Sequence, residues 1–454
     1  MRPRSAMRGR ARSKDTDMKQ TARIISTYSA DVMGVCSALF ELGGMVVMHD
    51  ASGCNSTYTT HDEPRWFDMD SMIYISGLSE MEAIMGDDEK LIEDIEEAAA
   101  ELHPKFIALA GSPVSAMTGF DYEAVASVIE LRTGIPALGF PTTGMNTYIH
   151  GASMALAGIA ERFVKAPCSE SGISSQTSLQ SLRRSGQDVC CVPPVTSEHP
   201  DHTLRVNILG LTPLDFSTNG TDASIVRWLE SEGFEVVSRW AMGSTLEELS
   251  LAAEADVNLV VSASGFGAAK VLYEKFGIPY AVGVPVGNEL PGLMADNIRI
   301  KVKEFARARA AGKAPLSFED AEISVESGIF LNGRVSEDGR SYEEGFVAVI
   351  GEGITSLSLA SSIEMEYGIP AKVLCATECP AGMLRECDRM TPDEDDIIPE
   401  LKGAYAVIAD PMYRPIVPEG VKFIELPHEA FSGRLYRDSI PDPVKDFTFC
   451  EALI

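Results

Sequence analysis

The stretch EKFGIPYAVGVPVG, residues 274–287, decides the fold because the chain carries it in three related forms. In each form a helical segment stops at a glycine, Ile-Pro follows, and an apolar strand begins. Glycine adopts the left-handed conformation that ends a helix, and the proline that follows cannot prolong it. The other two forms are ELRTGIPALGFPTTG at 130–144 and EMEYGIPAKVLCATECP at 364–380.

A further apolar strand precedes each of these three stretches. The order strand, helix, Gly-Ile-Pro, strand is a βαβ unit, and near-continuous apolar strands indicate a parallel sheet covered on both faces. We therefore predict an α/β fold with three Rossmann-like domains, whose parallel sheets are flanked by helices. The preceding strands are KFIALAGS at 105–112, VNLVVSAS at 257–264 and GFVAVIGEG at 345–353.

Segments without periodicity separate the three predicted domains. The basic start of the chain has no apolar core of a secretory signal. It is an organelle transit peptide, a disordered tail, or an overlong start before Met7 or Met18. The predicted organisation is a disordered basic tail at 1–21, a first Rossmann-like domain with the Cys54 loop at 22–165, a linker at 166–204, a second domain at 205–311, a connecting segment at 312–344 and a third domain at 345–454.

Composition restricts the classes of partner and compartment. The 454 residues carry a net charge of -29, which argues against nucleic acid because phosphates require Lys and Arg. A solvated acidic surface and a docking surface for a basic partner both remain open. Nine irregularly spaced cysteines indicate reduced thiols and a cytoplasmic protein, and no apolar run is long enough for a membrane.

Cys54 is the first candidate site residue, in HDASGCNSTYTTHDEPRW at 49–66. It follows a predicted strand, where ligands of parallel α/β folds bind, and Gly53 lets a bulky inorganic group approach the backbone. It is either a ligand of a metal cluster or a small buried residue at the end of the strand. Cys36, by contrast, falls on the apolar face of a helix and is expected in the core.

The segment CATECPAGMLREC in the third domain carries Cys375, Cys379 and Cys387. Its C-x3-C-x7-C spacing is not a standard zinc or ferredoxin pattern. The three thiols are a metal or redox site, or incidental buried cysteines. Just before it, Gly351 and Gly353 resemble the start of a dinucleotide fingerprint, but no acidic residue ends the next strand to hold a ribose.

Taken together, these motifs resemble the nitrogenase component 1 superfamily. The resemblance rests on GVCSALFEL at 34–42, HDASGC at 49–54, IALAGSPVSAMTGFDYEAV at 107–125, and ELPHEAFSGRLYRD at 425–438. It implies three Rossmann-like domains and an iron–sulfur cluster at a subunit interface. It also implies electrons from an ATP-dependent Fe-protein-like reductase, and a homodimer or a heterodimer with a paralogous component 1-like subunit.

The resemblance implies cluster cysteines in three loops of the first domain, of which this chain matches one, Cys54. Ala30 and Asp31 stand at the first loop, and Ser112-Pro113 stands where Cys-Pro is expected. Asp31 or Ser112 could supply an oxygen ligand, although oxygen is less usual than sulfur in such clusters. The expected cofactor is a 4Fe–4S cluster shared between subunits.

The resemblance also places Val261-Ser262 where the larger nitrogenase cofactor has its cysteine, so no iron–molybdenum cofactor is expected and dinitrogen reduction is disfavoured. His428 is a candidate active-site group or an ordinary histidine. The leading hypothesis is a component 1-like oxidoreductase subunit that reduces a small molecule in a cleft. The rivals are a non-catalytic scaffold or carrier for a metal cofactor or tetrapyrrole, and a cluster-free descendant.

Overall fold

The computed structural model describes residues 24, 30–53, 63–167, 203–310, 345–380 and 382–453. Three parallel sheets organise this part of the chain, and helices flank each sheet, which confirms the predicted fold class. Each of the three predicted corner glycines, Gly134, Gly277 and Gly368, ends its helix in the left-handed conformation. The helix-stop pattern read from the sequence is thus present in the backbone.

The first sheet has the strand order β2-β1-β3-β4, with all neighbours parallel. Strands β1 and β3 are buried along their whole length, as a sheet covered on both faces requires. His49 at the end of β1 pairs with Gly111 at the end of β3, so the loops that follow both strands leave the same edge. The elements are α1 Asp31–Leu39, β1 Met45–His49, β2 Ile73–Ile75, α2 Glu80–Met85, α3 Asp88–Leu102, β3 Ile107–Gly111, α4 Pro113–Thr118, α5 Tyr122–Thr133, β4 Ala137–Phe140 and α6 Tyr148–Phe163.

The second sheet has the order β6-β5-β7-β8 and is also entirely parallel. Of its two central strands, β5 and β7, the second is buried along its whole length. The elements are β5 Arg205–Leu209, α7 Pro213–Phe216, α8 Thr221–Ser231, β6 Glu235–Arg239, α9 Leu246–Leu249, β7 Val257–Val260, α10 Phe266–Phe276, β8 Tyr280–Val282 and α11 Leu290–Ala310.

The third sheet has five parallel strands in the order β11-β10-β9-β12-β13. The site-bearing segment after β10 leaves its carboxyl edge, where ligands bind in parallel α/β folds. The elements are β9 Phe346–Gly351, α12 Gly353–Tyr367, β10 Ala371–Cys375, β11 Arg389–Met390, α13 Glu394–Glu400, β12 Ala404–Ala409, β13 Lys422–Glu425 and α14 Glu429–Tyr436.

Helix α6 joins the first and second sheet regions by packing between α1 and α10. Its crossing with α1 is close enough that a Cβ on Gly34 would lie 2.0 Å from the carbonyl oxygen of Tyr148. On the other side, the backbone N–H of Gly267 donates to the Ser153 hydroxyl at 2.9 Å. Small residues at these crossings bring the carboxyl edges of the sheets toward one another.

Candidate functional site

Asp31 begins α1 and its buried carboxylate organises one of the loops at the carboxyl edge of the first sheet. Four hydrogen bonds of 2.8–3.0 Å reach its two oxygens, three of them from the loop that follows β4. This gives Asp31 a structural task, and its assignment as a metal ligand stays a prediction. The four donors are the backbone N–H groups of Val32, Thr143 and Gly144 and the side-chain amide of Asn146.

Ser112 follows β3 directly, is completely buried and stands in a capping box with Ser115 at the start of α4. Its hydroxyl nevertheless makes no hydrogen bond of normal geometry among the described residues. The neighbouring Ser115 carries the local hydrogen bonds instead. Its hydroxyl oxygen accepts from the Ser112 backbone N–H at 3.1 Å and from the Tyr122 hydroxyl at 2.6 Å. Burying a polar group without a partner costs free energy. The Ser115 hydroxyl avoids this cost through its hydrogen bonds, and the Ser112 hydroxyl does not.

Two buried polar residues stand where β1 ends: His49 is its last residue, and Asp50 begins the loop that follows. The His49 ring contacts the Ser76 hydroxyl at 3.0 Å through Nδ1, and burial lowers the pKa of His49 to about 4. Oδ2 of Asp50 has no hydrogen-bond partner in the described part of the chain. Sequence reasoning missed Asp50, although its place immediately after a buried strand was a usable signal.

Tyr122 ties these loops into one buried polar cluster. The pKa of Tyr122 is raised to about 12, mainly by burial and in smaller part by the negative charges of Asp31 and Asp50. A Cβ on Gly111 would overlap the Tyr122 hydroxyl, so glycine is required where β3 ends. We call Asp31, Asp50, Ser112, Ser115 and Tyr122 the edge cluster.

Gly53 immediately precedes Cys54, the predicted cluster ligand. Within the described part of the chain, a Cβ at Gly53 would meet no atom within 4 Å. Cys54 itself lies outside the described residues, as do the residues up to 62. Its role as a cluster ligand therefore stays a prediction.

The two candidate positions for a larger cofactor hold polar groups with protein partners. The Ser262 hydroxyl donates to the carbonyl of Gly210 at 2.7 Å and lies 2.6 Å from the Ser264 hydroxyl. His428 precedes α14, where its Nδ1 accepts from the Ala430 backbone N–H at 3.2 Å, and burial lowers the pKa of His428 to about 4. His428 is thus a neutral helix-capping histidine in this structure.

A cleft of about 330 Å³ lies where the three sheet regions meet. Helix α6 of the first region, the start of α10 in the second and the segment after β10 in the third all line it. The Thr147 hydroxyl donates to the Glu378 carboxylate at 2.6 Å across one rim. Its lining residues are Ile149, His150, Ser153, Ala263, Phe266, Glu378, Cys379, Pro380 and Met390.

Among the third-domain cysteines, Cys375 and Cys379 come together and Cys387 does not complete a metal site with them. The nearby Cys379 thiol lowers the pKa of Cys375, whereas the nearby Cys375 thiol and burial raise the pKa of Cys379. Cys387 instead contacts Oδ1 of Asp388 at 3.6 Å. No group of three or more His, Cys, Asp or Glu side chains placed to hold one metal ion occurs in the described part of the chain.

The geometry around Gly351 and Gly353 does not support a dinucleotide-binding site. The Glu352 carboxylate caps α12 by accepting from the Thr355 backbone N–H at 2.8 Å, where a phosphate would have to bind. Burial raises the pKa of Glu352 to about 8, and the nearby Asp215 carboxylate contributes. Cys36 is fully buried, as its helical spacing predicts.

Comparisons with known proteins agree with the fold and with the resemblance. A 28% identical relative is the nitrogenase iron-molybdenum cofactor biosynthesis protein NifE of Clostridium pasteurianum, matched over 46% of this chain and 38% of that protein. A subunit of the light-independent protochlorophyllide reductase of Prosthecochloris aestuarii is also 28% identical, over 41% of this chain and 34% of that protein. The alignments thus span well under half the length of these curated relatives.

Solved structures extend the likeness in fold to nearly the whole chain. Nitrogenase Cp1 at pH 6.5 superposes with a TM-score of 0.60 and 17% identity, covering 97% of this chain and 94% of that one. Nitrogenase Cp1 at pH 5 gives a TM-score of 0.54 at 15% identity, covering 90% and 84%. Within the described residues, every helix is too short or too polar to span a membrane.

The family model for nitrogenase component 1 type oxidoreductases matches residues 31–290, which is more than half of the chain. This range contains the edge cluster, the Cys54 loop and the helix α6 that lines the cleft. The chain belongs to the nitrogenase component 1 type oxidoreductase family.

Proposed function

We propose that this chain is a component 1-like oxidoreductase subunit that reduces a small molecule in the cleft between its three domains. It would receive low-potential electrons from an ATP-dependent Fe-protein-like reductase through an iron–sulfur cluster. When bound, such a cluster would supply one-electron transfer. The domain boundaries predicted from the sequence, including the linker at 166–204, are part of this proposal.

One observation supports a cluster at the edge of the first sheet: the buried hydroxyl of Ser112, which has no hydrogen-bond partner among the described residues. Ser112 stands where the family resemblance expects a cluster cysteine. An unsatisfied buried hydroxyl is costly unless something outside the described residues uses it. Cys54 and Ser112 would therefore hold the cluster from this chain, while the carboxylate of Asp31 holds the neighbouring loop in place.

A partner subunit is needed because one thiolate cannot hold a four-iron cluster. An exposed apolar surface lies beside the edge cluster, and we call it the α2–α4 patch. Scattered exposed apolar residues are ordinary, whereas grouped ones mark interfaces. Helices α2 and α4 contact each other, and the patch consists of Met81, Ile84, Met85 and Met117, which are 68%, 71%, 73% and 88% exposed.

The candidate partners for this patch are a second copy of the chain and a paralogous component 1-like subunit. A two-fold axis beside the patch would bring two Cys54 loops to one cluster, so a 4Fe–4S cluster shared between subunits fits the short ligand supply. The chain has a net charge of -29, so a reductase with a basic docking face would be attracted to its acidic surface.

The second candidate function is a scaffold or carrier for a metal cofactor or tetrapyrrole. Ser262 favours it, because its hydroxyl is already bonded to Gly210 and no thiolate stands at that position for a permanently held cofactor. Of the two named relatives, the cofactor biosynthesis protein favours a carrier, whereas the protochlorophyllide reductase subunit favours the enzyme. A carrier would bind and release its ligand without consuming electrons.

Iron and sulfide quantification on anaerobically purified protein tests the cluster. We expect Cys54→Ala to lose most of the iron and Ser112→Ala to lose part of it. Cys387→Ala is the matched control, because that thiol lies in the third sheet region and contacts Asp388. Equal iron content in the wild type and the Cys54→Ala variant would remove Cys54 as a ligand.

Turnover separates the enzyme from the carrier. Purified protein is combined with an Fe-protein-like reductase, ATP and dithionite, and electron consumption is followed in the presence of a protochlorophyllide-type tetrapyrrole. Electron consumption that depends on the reductase, on ATP and on Cys54 supports the oxidoreductase. Tight tetrapyrrole binding with no such consumption supports the carrier.

A further inference from the structure

We propose that Cys375 and Cys379 form a redox-active dithiol at the three-domain cleft, which a small-molecule disulfide such as oxidised glutathione converts to an intrachain disulfide. The site is separate from the edge cluster and does not depend on the proposed function. It would be a reversible modification site of the third domain.

Gly353 shows how close the two sulfurs lie. A Cβ built on Gly353 would lie 2.9 Å from Sγ of Cys379 and 3.4 Å from Sγ of Cys375. Both sulfurs therefore border one small volume beside the start of α12. The Cys375 thiol also donates to the carbonyl of Thr377 at 3.3 Å. Any residue larger than glycine at 353 would push into this volume, so the space is reserved for the pair.

The two cysteines differ in their exposure to the cleft. Cys375 ends β10 and is completely buried, whereas Cys379 is partly exposed and lines the cleft of about 330 Å³. A small-molecule disulfide that enters the cleft can therefore reach Cys379, whereas Cys375 is buried next to it. A solvent-facing thiol with a second thiol in contact is the arrangement of reversible redox cysteines.

The exchange runs in two balanced steps. The Cys379 thiol first gives its proton to water, a step that its raised pKa slows. The Cys379 thiolate attacks one sulfur of the small-molecule disulfide, the S–S bond breaks, and the released small thiolate takes up a proton. The Cys375 sulfur then attacks Cys379 in the mixed disulfide and releases the second small thiol with the second proton. Two protein thiols have lost two electrons in all, and one small disulfide has become two thiols.

A metal site at the same place fits less well. The described residues contain no group of three or more His, Cys, Asp or Glu side chains arranged around one ion. Cys387, the third thiol of the segment, is engaged with Asp388. Two neighbouring thiols are enough for a disulfide but do not complete the four-ligand shell typical of structural zinc.

Alkylation mass spectrometry after equilibration with glutathione buffers tests the proposal. Trypsin releases residues 373–385 as one peptide, which holds both cysteines and excludes Cys387. In full-length protein treated with oxidised glutathione and a metal chelator, we expect this peptide lighter by two hydrogens and protected from alkylation. Reduced glutathione should restore both thiols.

Two serine variants make the outcome decisive. Cys375→Ser should trap glutathione on Cys379 as a stable mixed disulfide, whereas Cys387→Ser, the matched control, should still form the internal disulfide. Circular dichroism confirms that each variant is folded. The proposal is overturned if the wild-type pair stays reduced in oxidised glutathione, keeps glutathione on Cys379 unresolved, or links to Cys387.

Discussion

Two buried polar regions of this protein are built in opposite ways. At the junction of the first and second sheet regions, all five N–H donors of the Arg65 guanidinium are used, and its plane lies over the Phe40 ring. In the edge cluster, the hydroxyl of Ser112 and one oxygen of Asp50 are equally buried and have no partner among the described residues.

The acceptors around Arg65 explain why its network is purely structural. Two carboxylates and two backbone carbonyls surround the guanidinium at 2.7–3.1 Å, and one of these carboxylates also accepts from the second sheet region, at Gly243. A completed network of this kind joins domains and leaves no atom for a ligand. The acceptors are Ser37, Glu41, Glu63 and Ala241.

The comparison distinguishes a purely structural network between two sheet regions from a candidate ligand-binding site. The stability of the fold is enough to explain why Arg65 is buried, because each donor of its guanidinium has an acceptor. Folding alone does not account for Ser112, because a buried hydroxyl without a partner costs about 1–3 kcal/mol. Variants that remove one member of each region can break this comparison or sharpen it.

The largest effect is expected for Arg65→Met. It leaves the Glu63 carboxylate, which is 1% exposed, without its cation, and such a loss typically costs about 3–5 kcal/mol. Denaturant unfolding followed by fluorescence measures the loss. Arg132→Met removes an exposed arginine paired with Glu89 and should leave the unfolding midpoint nearly unchanged. Similar losses in both variants would refute the buried-network explanation.

Glu352→Gln is expected to change the pH dependence of stability. The folded carboxyl has its pKa raised to about 8, so between pH 4.5 and 8 the unfolded chain loses this proton and the folded chain keeps it. Stability conferred by the group therefore falls as pH rises, by up to about 1.4 kcal/mol per pH unit.

Unfolding temperatures at pH 5 and pH 8 check this expectation. The wild type should lose more stability over that interval than Glu352→Gln does. The pKa values of His49 and His428, lowered to about 4, make stability rise between pH 4 and 6.5 in both proteins, so only the difference between them is informative. Glu274→Gln on the exposed face of α10 is the control, and a slope like that of Glu352→Gln in this control would contradict the assignment.

Ser115→Ala and Ser112→Ala divide the edge cluster. Ser115→Ala should cost about 1–3 kcal/mol, because the Ser112 backbone N–H and the Tyr122 hydroxyl lose their acceptor. Ser112→Ala should leave the stability of metal-free protein unchanged or increase it, since its hydroxyl has no partner among the described residues. Chemical unfolding of protein prepared without iron measures both, and equal losses would show that Ser112 has a structural partner.

The smallest effect on stability is expected at the α2–α4 patch. Met117→Gln should change the free energy of unfolding by no more than about 0.5 kcal/mol, because the side chain is 88% exposed. It should weaken subunit association, which sedimentation velocity measures. Leu131→Gln is the control, since that exposed leucine lies near the end of α5, where the chain returns to the opposite edge of the sheet. Unchanged association in Met117→Gln would exclude the patch from the interface.

The sequence by itself determined the fold class, the family and the core. The three Gly-Ile-Pro corners and the apolar strands before them are local signals, because helix ends and buried strands depend on neighbouring residues. Cys36, assigned to the core from helical spacing, is indeed buried. The Cys54 prediction also came from local sequence and awaits its test.

Only the tertiary structure decided which polar groups find partners. Asp31 and Thr143 are distant in sequence, and their hydrogen bond exists because α1 and the loop after β4 meet at one sheet edge. The position of the Cys375 and Cys379 sulfurs beside Gly353 likewise depends on packing between elements. So do the hydroxyl of Ser112, which has no partner among the described residues, and the five hydrogen bonds of the Arg65 guanidinium. Hydrogen bonds of buried side chains form across the fold, so no local pattern could predict them.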